Sequence, residues 1–133
     1  MAAELRKSIR EGTFLHRTTS GHAHGHAQAN LCILPYKYAF DFLLFCQRNP
    51  KPCPLIEVLE PGVATLGPGG SIDVRTDVPG YRVFRDGVLT DEIKCLMDHW
   101  RDDLVTFVIG TPGIPGHLPC ILLCLVPSYL YPN

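Results

Sequence analysis

Leu31-Cys-Ile-Leu-Pro35-Tyr-Lys-Tyr-Ala-Phe40-Asp-Phe-Leu-Leu-Phe45-Cys-Gln-Arg48-Asn-Pro50 is the stretch that decides the fold. Its first four residues are a brief apolar run. Pro35 then suits the first turn of a helix, where its missing N–H costs nothing. Phe40, Leu43, Leu44 and Gln47 follow at three- and four-residue spacing. The body, Tyr36 to Arg48, is apolar nearly all round, which predicts a buried helix. Asn49-Pro50 ends it, because a residue before proline avoids the helical region.

Working outward, Ala2 to Glu11 predicts a short helix, with Leu5 and Ile9 one turn apart and Gly12 as its stop. Thr13 to Ala29, rich in Thr, Ser, Gly and His, predicts a loop. On the other side, Pro50, Pro52 and Pro54 make a stiff connector. Leu55-Ile-Glu-Val-Leu59 alternates and predicts a strand. Pro61 to Gly70 is a Gly/Pro loop, and Ile72 to Arg75 a short strand. Tyr81 to Arg85 and Val88 to Thr90 flank Asp86-Gly87, a strong hairpin turn signal. Asp91 to Trp100 predicts a helix, with Ile93, Leu96, Met97 and Trp100 on one face. Leu104 to Ile109 is ambiguous: its β-branched residues favour a strand, whereas Asp102 could cap a helix. These elements predict a mixed α/β (α+β) domain, short helices around a small mixed sheet with a β-hairpin.

The chain has 133 residues, room for one domain, and 46% of them are hydrophobic, which excludes a disordered charged tail. Twelve Lys and Arg balance thirteen Asp and Glu, so no field attracts nucleic acid or an anionic membrane. From Leu104 to Asn133 there is no formal charge, but prolines interrupt the run and no apolar piece reaches the roughly 20 residues that span a bilayer. Cys32 and Cys46 lie in apolar runs, and no close Cys-x-x-Cys pair exists. The six cysteines are therefore expected as reduced thiols in an intracellular compartment.

Chemistry is sparse. His22-Ala-His24-Gly-His26 could share a metal, but its flanking glycines leave the backbone loose, and a solvated loop is the expectation. Gly67-Pro-Gly-Gly70 lacks the Lys and Ser/Thr of a phosphate loop. Cys46 and Cys53 have no histidine nearby in sequence to activate them, which favours packing over nucleophilic work. Arg75-Thr-Asp-Val-Pro-Gly-Tyr-Arg82 gathers two Arg, one Asp and one Tyr in a turn-rich stretch. A salt bridge under a turn and an acid–base site both fit it. Trp100-Arg-Asp-Asp103 leaves the same choice between capping and acid–base work.

These residues also resemble a known family. Gln28-Ala-Asn-Leu31, Ile33-Leu34-Pro35, Asp41 through Pro54, Thr76-Asp-Val-Pro-Gly-Tyr-Arg-Val83 and Trp100 through Gly110 are similar, in the same order, to the D-glutamate cyclase family of hydro-lyases. The resemblance runs from about Leu5 to Gly110. It implies an α/β fold, conversion of D-glutamate to 5-oxo-D-proline and water, no cofactor, and the mitochondrial matrix as the address. After Gly110 the family pattern stops. The expectation is therefore a partial family domain over residues 1–110 and a divergent Pro-rich tail over 111–133. Such a chain would be silent or active by what the missing stretch carries, and would self-associate through exposed apolar surface. Cyclisation brings the α-amine onto the γ-carboxyl carbon. That chemistry needs proton transfer, an oxyanion site and a clamp for the α-carboxylate. Arg82 is the candidate clamp, Asn30 a candidate for orienting a carboxylate oxygen, Asp77 a candidate acid or base, and Tyr81 a candidate proton donor.

Overall fold

The computed structural model describes residues 2–110, apart from 17, 18, 20, 23–25 and 27. The expected tail over 111–133 lies outside the described residues. The fold is mixed α/β. Helix α1 (Ala2–Arg10) comes first, followed by strand β1 (Ala29–Pro35), helix α2 (Tyr36–Arg48) and strand β2 (Leu55–Val58). Two short strands, β3 (Thr65–Leu66) and β4 (Ile72–Asp73), precede a hairpin of β5 (Tyr81–Arg85) and β6 (Val88–Ile93). The last strand is β7 (Leu104–Gly110). Strands β1, β7 and β2 form a three-stranded sheet with β7 in the centre, and all described pairings are antiparallel.

The ambiguous Leu104 to Ile109 segment is thus a strand, part of β7. Its apolar run is continuous because both faces of β7 are buried, and a continuous run hides the two-residue period that would mark a strand. Cross-strand pairs sort the faces. Leu31 faces Val108, Ile33 faces Thr106 and Pro35 faces Leu104 on one side; Asn30 faces Ile109, Cys32 faces Phe107 and Leu34 faces Val105 on the other. The first side packs against Leu59, Ala64, Val74, Val78, Tyr81 and Leu96. The second receives Tyr38, Ala39, Phe42 and Leu43 of α2, where the Phe42 ring meets the fully buried Phe107 ring edge-on at 4.8 Å.

Pro35 closes β1 and stands just ahead of α2 with φ −59° and ψ 145°, one residue earlier than its expected helical place. Tyr36 N–H donates to the Asp103 carbonyl at 2.7 Å, tying the start of α2 to the start of β7. The expectation of a buried α2 is corrected. Only Cys46 is fully buried on it, while Tyr36 is 66% exposed and Phe40 72%. The sheet covers one face of the helix, and among the described residues nothing comparable covers the other.

A second correction concerns Asp91 to Trp100. Asp86 and Gly87 both have positive φ, 50° and 75°, as a tight hairpin turn of the right twist requires. That turn zips Val88–Ile93 onto β5, so Asp91, Glu92 and Ile93 pair with Val83, Arg82 and Tyr81. Only a single 3-10 turn, Met97–His99, remains of the expected helix. The apolar spacing was real, but cross-strand hydrogen bonding took its first half. The expected Pro61–Gly70 loop instead contains β3 and a 3-10 turn at Pro68–Gly70, and ahead of β3 Gly62 has φ 78° and its N–H donates to the Leu104 carbonyl at 2.9 Å. A Cβ at that position would stand 2.9 Å from the Asp102 carbonyl oxygen.

Candidate functional site

The turn between β4 and β5 concentrates the charge chemistry. It is folded by its own backbone, with Asp77 N–H donating to the Asp73 carbonyl at 2.9 Å. The Asp77 side chain has no exposed surface, yet its partner, the guanidinium of Arg10 at the end of α1, is half exposed. Arg10 Nε donates to Oδ1 at 2.7 Å and Nη2 to Oδ2 at 2.9 Å, a bidentate pair. Thr76 Oγ1 donates to Oδ1 at 2.9 Å and Asp73 N–H to Oδ2 at 3.0 Å. Burial alone would raise the Asp77 pKa. The bonds from Arg10, Asp73 and Thr76 outweigh it and hold the carboxyl below its usual range.

A second pair sits beside the first. Asp73 accepts from Arg75 Nη2 at 2.8 Å, and from Arg75 Nε and N–H at 3.0 and 2.9 Å. The Arg75 side chain, the largest influence, lowers the Asp73 pKa against the opposing effect of burial. The Arg75 guanidinium also lies 5.9 Å from the centre of the Trp100 ring, within cation–π range. The turn is therefore a small lattice of two carboxylates and two guanidiniums.

Tyr81 is buried, and its hydroxyl donates to the Val74 carbonyl at 2.6 Å. That bond spans the same turn, so Asp77 and Tyr81 are brought together as its two internal braces. Arg82, the next residue, points away from the Tyr81 side of the hairpin and pairs with Glu92 at 3.3 Å. Asn30 is not brought to this turn. It shares the α2 side of the sheet with Cys32 and Leu34, whereas Val74, Val78 and Tyr81 pack on the opposite side. In Trp100-Arg-Asp-Asp103, Trp100 is the C-cap residue of the Met97–His99 3-10 turn, and Arg101 pairs with Asp103 at 3.1 Å.

Sequence reasoning missed Arg10 and Asp73. Arg10 lies 67 residues from Asp77, and no local pattern links a helix-end arginine to a distant turn. Asp73 lies two residues before Arg75, a spacing that could have flagged it. Of the three clustered histidines, His24 lies outside the described residues. His22 stacks obliquely on His16, with ring centres 4.4 Å apart. Among the described residues no group of three His, Cys, Asp or Glu is placed to hold a metal ion. A shallow cavity of about 500 Å³ beside α1 is lined by Glu4, Leu5, Phe14, His16 and His22, among others.

Comparison with known proteins gives this geometry a context. No protein-family model matches the chain. It is 56% identical over 110 residues to a protein of Corynebacterium urealyticum named "Putative hydro-lyase cu1581", covering 81% of this chain and 40% of that protein. It is 59% identical over 108 residues to a protein of Azorhizobium caulinodans named "Putative hydro-lyase", covering 80% and 39% respectively. A similarly named protein of Jannaschia sp. is 56% identical over 110 residues, covering 82% and 41%. Identity at this level makes these proteins homologues of the chain. The chain spans about two fifths of the length of the curated relatives it matches. Among the described residues no helix is long and apolar enough to cross a membrane.

Proposed function

We propose that this chain is part of a hydro-lyase, and that the substrate of the whole enzyme is D-glutamate, cyclised to 5-oxo-D-proline with loss of water. The hydro-lyase part rests on one observation: more than half of the residues are identical to those of proteins so named, over four fifths of the chain. The choice of D-glutamate rests on the ordered motifs that resemble the cyclase family.

The geometry supports a division of labour within this reading. A carboxylate that already accepts four hydrogen bonds and sits below its usual pKa is a poor proton carrier near neutral pH. Asp77 and Tyr81 therefore position the turn, and Arg82 at its exit binds the substrate α-carboxylate by exchanging Glu92 for it. Asn30 lies on the α2 side of the sheet, away from this turn. The test is direct. The purified chain, and separately a full-length relative, are incubated with D- and with L-glutamate, and 5-oxoproline is measured. Product from the D-isomer supports the reading. Its absence from the full-length relative overturns the substrate, and its absence from this chain alone removes catalysis by this chain.

A second reading, a silent fragment that binds ligand or docks on a full-length copy, draws on the outward Tyr36 and Phe40 of α2. Saturable D-glutamate binding without turnover, or co-elution with a full-length copy, would favour it. The mitochondrial matrix remains the proposed address on the cyclase resemblance alone, and fractionation of cells expressing the chain tests it.

A further inference from the structure

Strand β2 is an outer strand of the three-stranded sheet. β7 pairs with one side of it, and among the described residues no strand pairs with the other. It is also the least covered strand of that sheet. Ile56 is 57% exposed and Val58 37%, whereas β1, the opposite outer strand, is buried from Leu31 to Pro35. The pairing register shifts between Leu55 and Glu57, so Ile56 stands out of the ladder. An open edge that carries apolar side chains invites another stretch of chain.

The chain itself delivers one to this spot. β7 ends at Gly110, whose N–H donates to the Pro54 carbonyl at 2.8 Å, one residue ahead of β2. A Cβ on Gly110 would stand 3.3 Å from Ile56 Cδ1, so the chain leaves the sheet against that exposed side chain. Residues 111–133 follow, with no Asp, Glu, Lys or Arg among them. Their longest apolar run is Cys120-Ile-Leu-Leu-Cys-Leu-Val126, bounded by Pro119 and Pro127. Such a run gains by leaving water for apolar cover. The lead from Thr111 to Pro119 covers up to about 30 Å when extended. A position just outside β2 lies about 10 Å from β7, two strand spacings. The lead is long enough.

We infer that Cys120–Val126 docks along the open edge of β2, against Ile56 and Val58 of the same chain. Two arguments name this occupant over a second copy. A short tether gives it an effective concentration on the order of millimolar, which a dilute second copy does not match. The flanking prolines also stop the covered edge from recruiting further strands, since each lacks the N–H a ladder needs. Having no charge, the run meets no repulsion from the exposed Glu57 between the two apolar side chains.

The full chain is made with Val58→p-benzoylphenylalanine, as a mixture of isotopically heavy and light copies. It is irradiated, digested with chymotrypsin and mapped by mass spectrometry. The expected adduct joins position 58 to the Cys120–Val126 run and never mixes labels, which marks it as intrachain. Adding Leu122→Asp and Leu125→Asp puts charge into the run and abolishes the adduct. Adducts of mixed label place a second copy on the edge and overturn the proposal. Adducts confined to residues 2–110, or none, overturn it as well, and so does an adduct that survives the double substitution. Should the position 58 replacement fail to fold, hydrogen exchange of the chain without it decides. Faster exchange of the β2 amides on double substitution, with the β7 amides unchanged, supports the docking. Equal exchange at β2 overturns it.

Discussion

The two sides of the central sheet are covered by different kinds of structure. On one side lies α2, held by apolar packing of Tyr38, Ala39, Phe42 and Leu43 onto Phe107 and its neighbours. On the other lies a layer of short strands and turns, whose apolar residues surround a turn braced by a sequestered carboxylate. A helix satisfies its own backbone and needs only a greasy stripe to dock. A turn cannot do so, and must find donors and acceptors for its polar groups before it can be buried. The difference teaches that α2 tolerates having its outer face open, whereas the turn layer depends on one ion pair drawn from the far end of the chain.

Substitutions can break or sharpen this contrast. The largest effect is expected at the helix side's own anchor. Phe107→Ala removes a fully buried ring and its edge-on contact with Phe42, and should cost about 3–5 kcal/mol in urea unfolding. Next comes Asp77→Ala, which strips the Asp73 N–H and Thr76 hydroxyl of their acceptor. A loss of about 2 kcal/mol is expected by the same measurement. The same variant should also flatten the acid limb of stability. The folded-state pKa values of Asp73 and Asp77 are lowered, so their stabilisation is fully present above the unfolded carboxyl range, about pH 4. It is lost as pH falls through the lowered folded values. A wild-type denaturation midpoint that holds constant from pH 5 to pH 2 would contradict this. The smallest effect is expected at Phe40→Ser on the open face of α2, within about 0.5 kcal/mol. Any self-association of the chain through that face should weaken in the same variant, read by sedimentation velocity.

How much of this was visible in the sequence follows the range of the forces involved. The α2 helix, bounded by Pro35 and Asn49-Pro50, and the hairpin at Asp86-Gly87 were legible because their signals are local. Leu104 to Ile109 stayed ambiguous because double-sided burial removes the period that distinguishes a strand. Asp91 to Trp100 misled because its helical spacing competed with a turn five residues upstream that had already committed the chain to pairing. Tyr81 and Asp77 stood out as residues worth watching, yet their actual partners, the Val74 carbonyl and Arg10, become neighbours only in three dimensions. The outward face of α2 could not be foreseen either, since composition reports how apolar a helix is but not how much of it the rest of the chain covers.

Gly62 carries a consequence for reading related sequences. The carbonyl of Asp102 occupies the space where any side chain would begin, and the left-handed backbone there already disfavours one. An unvarying glycine at this column would reflect carpentry at the seam between a connector and the middle strand. Whoever hunts for substrate contacts by invariance alone should set that column aside.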